Sequence, residues 1–178
     1  AGYDYVIFGK AFQLPDGEYG NAIMSKYPLE QIALLNIPAN ATESRSALVV
    51  KVNAPKPYYV IGTHLAYEES PEMEEVRVKA LQVIGNYIKD NNLTPAVLMG
   101  DMNATPDGKA ITALRELGFQ VFNDSVPGEL SYSADNPYIL LDYQAIYPAD
   151  SAELITHYVV EETKASDHRP VYSKILLK

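Results

Sequence analysis

Apolar positions alternate with period two along Tyr3–Phe12 (YDYVIFGKAF), in residue types that suit a strand. The stretch LPDGEYG then reads as a turn. NAIMSKYPL, QIALLNI, RSALVVKV and YYVIGTHL follow as strand-like apolar runs separated by Pro, Asn and Ser. Such spacing predicts antiparallel sheet rather than βαβ units. The period changes at Ser70. This residue is placed to cap a helix, Pro71 suits its first position, and Glu72, Glu74 and Glu75 load its first turn with negative charge. Met73, Val76, Ala80, Ile84 and Tyr87 recur at helical spacing. AVLMGDMN reads as a short buried strand with a polar end. Thr105 and Pro106 are expected to open a second helix that Gly118 closes. DYQAIYP, HYVVEE and PVYSKILL complete the strands. The pattern predicts a single domain over residues 1–178, an α/β fold with sheets packed face to face.

Composition narrows the chemistry. The absence of cysteine excludes disulfides and thiolate metal sites. No apolar run is long enough to cross a bilayer as a helix, and no signal-peptide pattern is visible in AGYDYVIFGKAF. Compartment and oligomeric state stay open. Lys plus Arg is 14 against 23 Asp plus Glu, a net charge of −9. That balance argues against tight, non-specific binding of duplex nucleic acid, and no Lys/Arg stripe interleaved with aromatics offsets it. An anionic substrate is still possible, because a divalent metal inverts the field inside one cleft.

Functional side chains gather at the strand ends. His64 closes YYVIGTHL, Asp101 and Asn103 close AVLMGDMN, Asp142 opens DYQAIYP, and Ser166-Asp167-His168 precedes PVYSKILL. Each has a plainer reading. Asp101 and Asn103 suit a turn, His64 a half-buried strand histidine, Asp142 a partner for a lysine, and Ser166-Asp167 a turn before Arg169-Pro170. Together, in this order, they say more.

GDMNATP, THLAYEE, LDYQAIYP and SDHRPVY resemble the motifs of the endonuclease/exonuclease/phosphatase superfamily. EYGNAIMSKYPL and SRSALVVKV extend the likeness over essentially the whole chain. The resemblance implies a four-layered α/β sandwich with two packed, mainly antiparallel sheets, and metal-dependent phosphoester hydrolysis by in-line attack of water. Asp101 resembles the carboxylate that orients and deprotonates the water, and Asn103 the amide that holds the water or a phosphate oxygen. His168 resembles the imidazole beside the scissile phosphate, and Asp142 the carboxylate that fixes its tautomer. Asp167 resembles a carboxylate near or on the metal, with Asp101 and Asn103 as further ligands. His64 resembles a second histidine that donates a proton to the leaving oxygen, with Glu18 a candidate to orient it. Asn21 and Arg45 are candidates for phosphate contacts. Ser166 is expected to bond locally, and Arg169 to pair structurally with a carboxylate. The oxygen-rich set suits Mg²⁺, or Mn²⁺, better than Zn²⁺. The substrate is a phosphoester of a nucleic acid, lipid or small molecule, with small, lipid-linked or sugar phosphates favoured by the acidic balance.

The family's usual domain begins with a strand carrying an asparagine, a helix, and a strand ending in a Gln-Glu pair whose glutamate is the principal metal ligand. No Gln-Glu pair occurs here. By comparison with the usual domain length, about 60–80 residues and the first strands of the fold are expected ahead of Ala1. Their loss would weaken metal binding and uncover apolar surface and strand edges. The 178-residue chain alone is therefore expected to be weakly active or inactive. The competing reading is a non-catalytic module that keeps the fold to bind a ligand or partner.

Overall fold

The computed structural model describes residues 2–178. Its centre is a six-stranded sheet of order β3-β4-β5-β6-β8-β7, formed by Leu29–Ile37, Arg45–Val52, Tyr58–His64, Ala96–Asp101, Asp142–Tyr147 and Gln120–Val121. All pairings are antiparallel except β5–β6, which is parallel. A parallel pair needs a crossover, and helix α1 (Pro71–Asp90) supplies it. One βαβ unit thus lies inside a sheet whose other neighbours pair as the turn spacing predicts.

The two helices cover one face of this sheet. Ala47, Val49, Ile61, Leu98 and Ala145 meet Leu81, Ile84 and Ile88 of α1 and Ile111 and Leu114 of α2 (Lys109–Glu116). The α1 stripe is centred on Ala80, Leu81, Ile84 and Ile88, so Met73 and Val76 stay only partly buried. Ser70 Oγ accepts the Met73 N–H at 3.2 Å and caps the helix as its sequence position implies. Helix α2 begins later than expected. Thr105 and Pro106 lead into a turn closed by the Gly108 N–H donating to Thr105 O at 2.9 Å, and Gly108 is the N-cap. Gly118 ends the helix with φ +90°. Its N–H donates to Arg115 O and that of Phe119 to Leu114 O, the paired bonds of a Schellman stop.

Two separate hairpins cover the opposite face. In one, β1 (Tyr5–Leu14) pairs with β2 (Gly17–Ser25); in the other, β9 (Ala152–Val159) pairs with β10 (Val171–Leu177). The first turn is therefore tighter than LPDGEYG suggests, because Gly17-Glu18-Tyr19-Gly20 already belongs to β2. Ile7 and Ile23 pack on Leu48, Val50 and Val60, whereas Leu154, Ile175 and Leu177 pack on Val97 and Ile146. Because both faces are covered, the central strands read as continuous apolar runs. The result is an α/β sandwich of packed, mainly antiparallel sheets. Among the described residues it has three of the four expected layers: helices, central sheet and hairpins. Between the hairpins runs an apolar groove of about 370 Å³, lined by Ile23, Val60, Val97, Met99 and Ile175 among others.

Candidate active site

Strand register assembles the site. His64 on β5 pairs with Asp101 on β6, and Asp101 pairs with Asp142 on β8. Paired residues project from the same face, so three polar side chains from segments far apart in sequence stand side by side in one row. Gly100 makes this possible. With φ +144°, it sits so close to β5 that a Cβ would lie 1.8 Å from Thr63 O. Asp101 and Asp142 are like charges on directly opposed positions, which costs stability. They are held together by what surrounds them.

His168 closes the row. The segment carrying it is bound to a loop after α2: the Ala134 N–H donates to Asp167 O and the Arg169 N–H to Ser131 O, both at 2.7 Å. His168 Nδ1 lies 2.7 Å from Asp142 Oδ2, and its Nε2 lies 3.8 Å from Asp101 Oδ2. The ring of Tyr132 packs on the imidazole with centroids 4.7 Å apart. Asp142 Oδ2 also accepts from Ser131 Oγ at 2.7 Å. Ser131 is fully buried, and its Oγ accepts the N–H groups of Leu141 and Asp142 at 3.1 and 3.2 Å. A serine occupied twice as acceptor turns its proton to the carboxylate. Asp142 in turn holds the proton of His168 on Nδ1, leaving Nε2 to face the cleft as the basic nitrogen.

Asn103 adopts φ +46°, a left-handed conformation that asparagine tolerates. This curls it back, so its N–H donates to Asp101 Oδ1 at 2.8 Å and its amide Nδ2 to Leu65 O at 3.0 Å. Asp101 Oδ2 and the Asn103 amide oxygen remain for other partners.

His64 is held from the hairpin side. Its Nδ1 lies 2.8 Å from Tyr19 Oη, and its Nε2 lies 3.5 Å from Asp101 Oδ2. Tyr19, rather than Glu18, orients it; Glu18 instead pairs with Lys10 at 2.9 Å. Arg45 is buried beneath Tyr19; its Nη1 donates to Tyr19 Oη at 2.9 Å and its Nη2 to Glu43 Oε2 at 2.8 Å, while Nε is buried without a partner among the described residues. Asn21 gives its amide to Ser46 O at 3.0 Å. Neither Asn21 nor Arg45 lines the cleft, so the expected phosphate contacts from these two are absent from its walls.

The groups titrate accordingly. Burial, reinforced by the charge of Asp142, pushes Asp101 up to about 6, against the donated Asn103 N–H. Burial, with Arg45 and His168 nearby, pushes His64 down to about 4. The His64–Asp101 contact is therefore not an ion pair at neutral pH. Burial opposes charge on His168 as well, but its bond to Asp142 and the charges of Asp142, Asp101 and Asp167 outweigh it and raise its pKa.

Around these residues opens a cleft of about 760 Å³. Its walls include His64, Asp101, Asn103, Asp167 and His168, with Tyr67, Glu69, Glu74, Tyr132 and Tyr138 towards the mouth. Ligand atoms of Asp101, Asp142 and His168 lie within 4.8 Å of one another. Asp167 lines the cleft but stands outside that cluster, and its exposed carboxylate accepts from Ser166 Oγ at 3.2 Å. Ser166 bonds only locally, as expected. Arg169, expected to pair with a carboxylate, instead donates from Nε to Ala134 O at 2.7 Å.

A model of the endonuclease/exonuclease/phosphatase family matches residues 1–168. The chain belongs to that family. YbhP of Escherichia coli is 27% identical over 99 residues, covering 54% of this chain and 38% of that protein. An endonuclease/exonuclease/phosphatase from Beutenbergia cavernae superposes with a TM-score of 0.81 at 21% identity, over 99% of this chain and 54% of its own. A mannosyl-6-phosphatase from Bacteroides thetaiotaomicron superposes with a TM-score of 0.73 at 16% identity, over 99% of this chain and 78% of its own. The chain thus spans about half the length of the Beutenbergia protein and less of YbhP. Family members include nucleases and phosphatases, and a divalent metal is typical of them.

Serine and tyrosine are what the sequence reading missed. Ser131 and Tyr132 lie in a loop with no local motif, and Tyr19 in a hairpin that gave no polar signal.

Proposed function

We propose that this chain carries the catalytic residues of a Mg²⁺- or Mn²⁺-dependent phosphoester hydrolase. The observation that supports it best is the single row of His64, Asp101 and Asp142, closed by His168, of which His64, Asp101 and His168 line one cleft. Asp101 orients water and takes its proton, which a carboxylate with a pKa near 6 does well close to neutrality. Asn103 holds its carboxylate in place and offers its amide oxygen. His168, kept as the Nδ1–H form by Asp142 and Ser131, stabilises the phosphate and moves a proton at Nε2. His64 faces the same phosphate from the other side.

The donor set fits a hard cation. Asp101, Asn103 and Asp167 offer oxygens, and Mg²⁺ commonly binds through one or two carboxylates while keeping several waters. Asp142 is already engaged by His168 and Ser131 and serves them. A bound Mg²⁺ would neutralise charge on the phosphate oxygens and assist departure of the leaving group.

A small substrate suits the cleft better than a polynucleotide. Glu69 and Glu74 line it, and the Arg77 guanidinium turns inward to Ala66 O and Glu68 O at 2.9 and 3.0 Å. Tyr67 and Tyr138 are exposed there, apolar faces with a polar tip for a sugar or similar alcohol. A panel of sugar phosphates, a nitrophenyl diester and a single-stranded oligonucleotide, tested on the complete polypeptide, decides this. Preference for the oligonucleotide would refute the small-substrate reading.

A further inference from the structure

Arg45, Tyr19 and His64 form a chain of hydrogen bonds. A guanidinium has donors and no acceptor. The Arg45–Tyr19 bond of 2.9 Å therefore uses the phenol oxygen as acceptor. Tyr19 has a single proton to give, and its only other hydrogen bond among the described residues is the 2.8 Å contact to His64 Nδ1. A phenol oxygen has two lone pairs and can accept twice, but giving its own proton to Nδ1 is the arrangement that leaves the phenol donor in use, and it puts the ring proton of His64 on Nε2. That nitrogen is the one beside Asp101 Oδ2.

Packing keeps the chain in place. Phe12 stacks on Tyr19 with ring centroids 4.8 Å apart, and the two residues are paired across the β1–β2 hairpin. Glu43 holds the second guanidinium nitrogen of Arg45 at 2.8 Å, and the Arg45 guanidinium carbon lies 5.5 Å from the centroid of the Tyr19 ring. A buried arginine aimed at a phenol, with no part in the cleft wall, has this orientation as its visible use.

We propose that Tyr19 is a positioning residue, with Arg45 behind it, that locks His64 in the Nε2–H tautomer so that it presents a hydrogen-bond donor to the substrate. His64 and His168 then carry opposite tautomers. His168 turns a basic nitrogen to the cleft and His64 a donor, so the two do not compete for one proton. The tautomer is argued from the hydrogen-bond geometry and is what the spectra test; the role towards substrate rests on the phosphoesterase reading.

The test is long-range ¹H–¹⁵N correlation of the histidine rings in the complete polypeptide, with His64 identified by its loss in His64→Gln. Wild type should show a pyridine-like Nδ1 and a protonated Nε2 for His64. Tyr19→Phe keeps the ring packing and removes the proton, and it should convert His64 to a mixture of tautomers. Arg45→Met should do the same while Tyr19 is intact, which guards against a folding defect in either variant. In parallel, Tyr19→Phe should lower kcat about tenfold, the worth of one hydrogen bond, with KM little changed. An Nδ1–H tautomer in wild type, or no change in both variants, overturns the proposal. The predicted spectra without turnover of any phosphoester would overturn the substrate role and the phosphoesterase reading, and would leave the tautomer lock standing.

Discussion

Replacing Gly100 by alanine should destabilise the protein severely, although the change adds one methyl group. The added Cβ would sit 1.8 Å from the carbonyl oxygen of Thr63 on the adjoining parallel strand. Real Cβ atoms do not approach backbone oxygen so closely, so β5 and β6 must part by more than 1 Å. The residue also has φ +144°, a region that L side chains rarely occupy, at a cost of about 1–3 kcal/mol. Parting the strands breaks at least one ladder bond and leaves its groups buried, adding about 1–3 kcal/mol. The sum, about 2–6 kcal/mol, rivals the total of about 5–15 kcal/mol typical of a domain. Two controls sharpen the reasoning. At Gly17 a Cβ meets nothing within 4 Å, so Gly17→Ala should change stability by less than about 0.5 kcal/mol. At Gly62 the nearest atoms are Ile23 Cγ1 and Cδ1 at 3.4 Å, an ordinary contact, so Gly62→Ala should fall between the two. Urea unfolding of the three variants measures the order. A Gly100→Ala protein within 1 kcal/mol of wild type (roughly the error of such comparisons) would refute the close approach of β5 to β6, and with it the placement of His64 beside Asp101.

Other expectations concern the charged row. Asp101 binds its proton near pH 6 when folded against 3.8 in the reference state, so it weakens the fold increasingly as pH rises between those values. Asp101→Asn should therefore stabilise the protein at pH 7, by up to about 3 kcal/mol in denaturant unfolding, while abolishing activity. His64 has the opposite sign: folded near 4 against 6.5, it costs stability as pH falls through that interval, and its ring signals should not titrate between pH 8 and 6. The acid limb of kcat/KM should fall as pH drops through about 6, where Asp101 takes up its proton. Asp142→Asn should reduce kcat by about 10²–10⁴-fold with little effect on folding, because the amide no longer dictates the His168 tautomer; an effect under threefold would dismiss that role.

GDMN and SDH carry a carboxylate, an amide and an imidazole within a few positions, and their likeness to the family's motifs marks them as candidates that the structure brings to one cleft. The strand runs were legible because apolar, strand-forming residues come in short stretches bounded by Pro, Asn and Ser, with alternation clear over Tyr3–Phe12. What depends on distant pairing was not. The parallel β5–β6 contact arises because α1 carries the chain back across the sheet, and nothing in YYVIGTHL or AVLMGDMN states the direction of pairing. Ser131 acts only because its loop meets both Asp142 and the His168 segment, and Tyr19 only because a hairpin folds over β4 and β5. The late start of α2 reflects Asp107-Gly108, whose turn outcompetes helix formation at Thr105-Pro106. Arg45 is a candidate for a phosphate contact by the likeness of SRSALVVKV to a family strand; its burial beneath Tyr19 could not be read from that likeness.

On the proposed reading, the row of His64, Asp101, Asp142 and His168 hydrolyses phosphoesters with help from a divalent cation. The most direct measurement is turnover of a nitrophenyl phosphate monoester and diester by the complete polypeptide, with Mg²⁺, with Mn²⁺ and with EDTA, alongside Asp101→Ala. Metal-dependent turnover is expected, which EDTA removes and which the variant lacks by at least about 10³-fold. Turnover that persists in EDTA, or that Asp101→Ala retains in full, would contradict that reading.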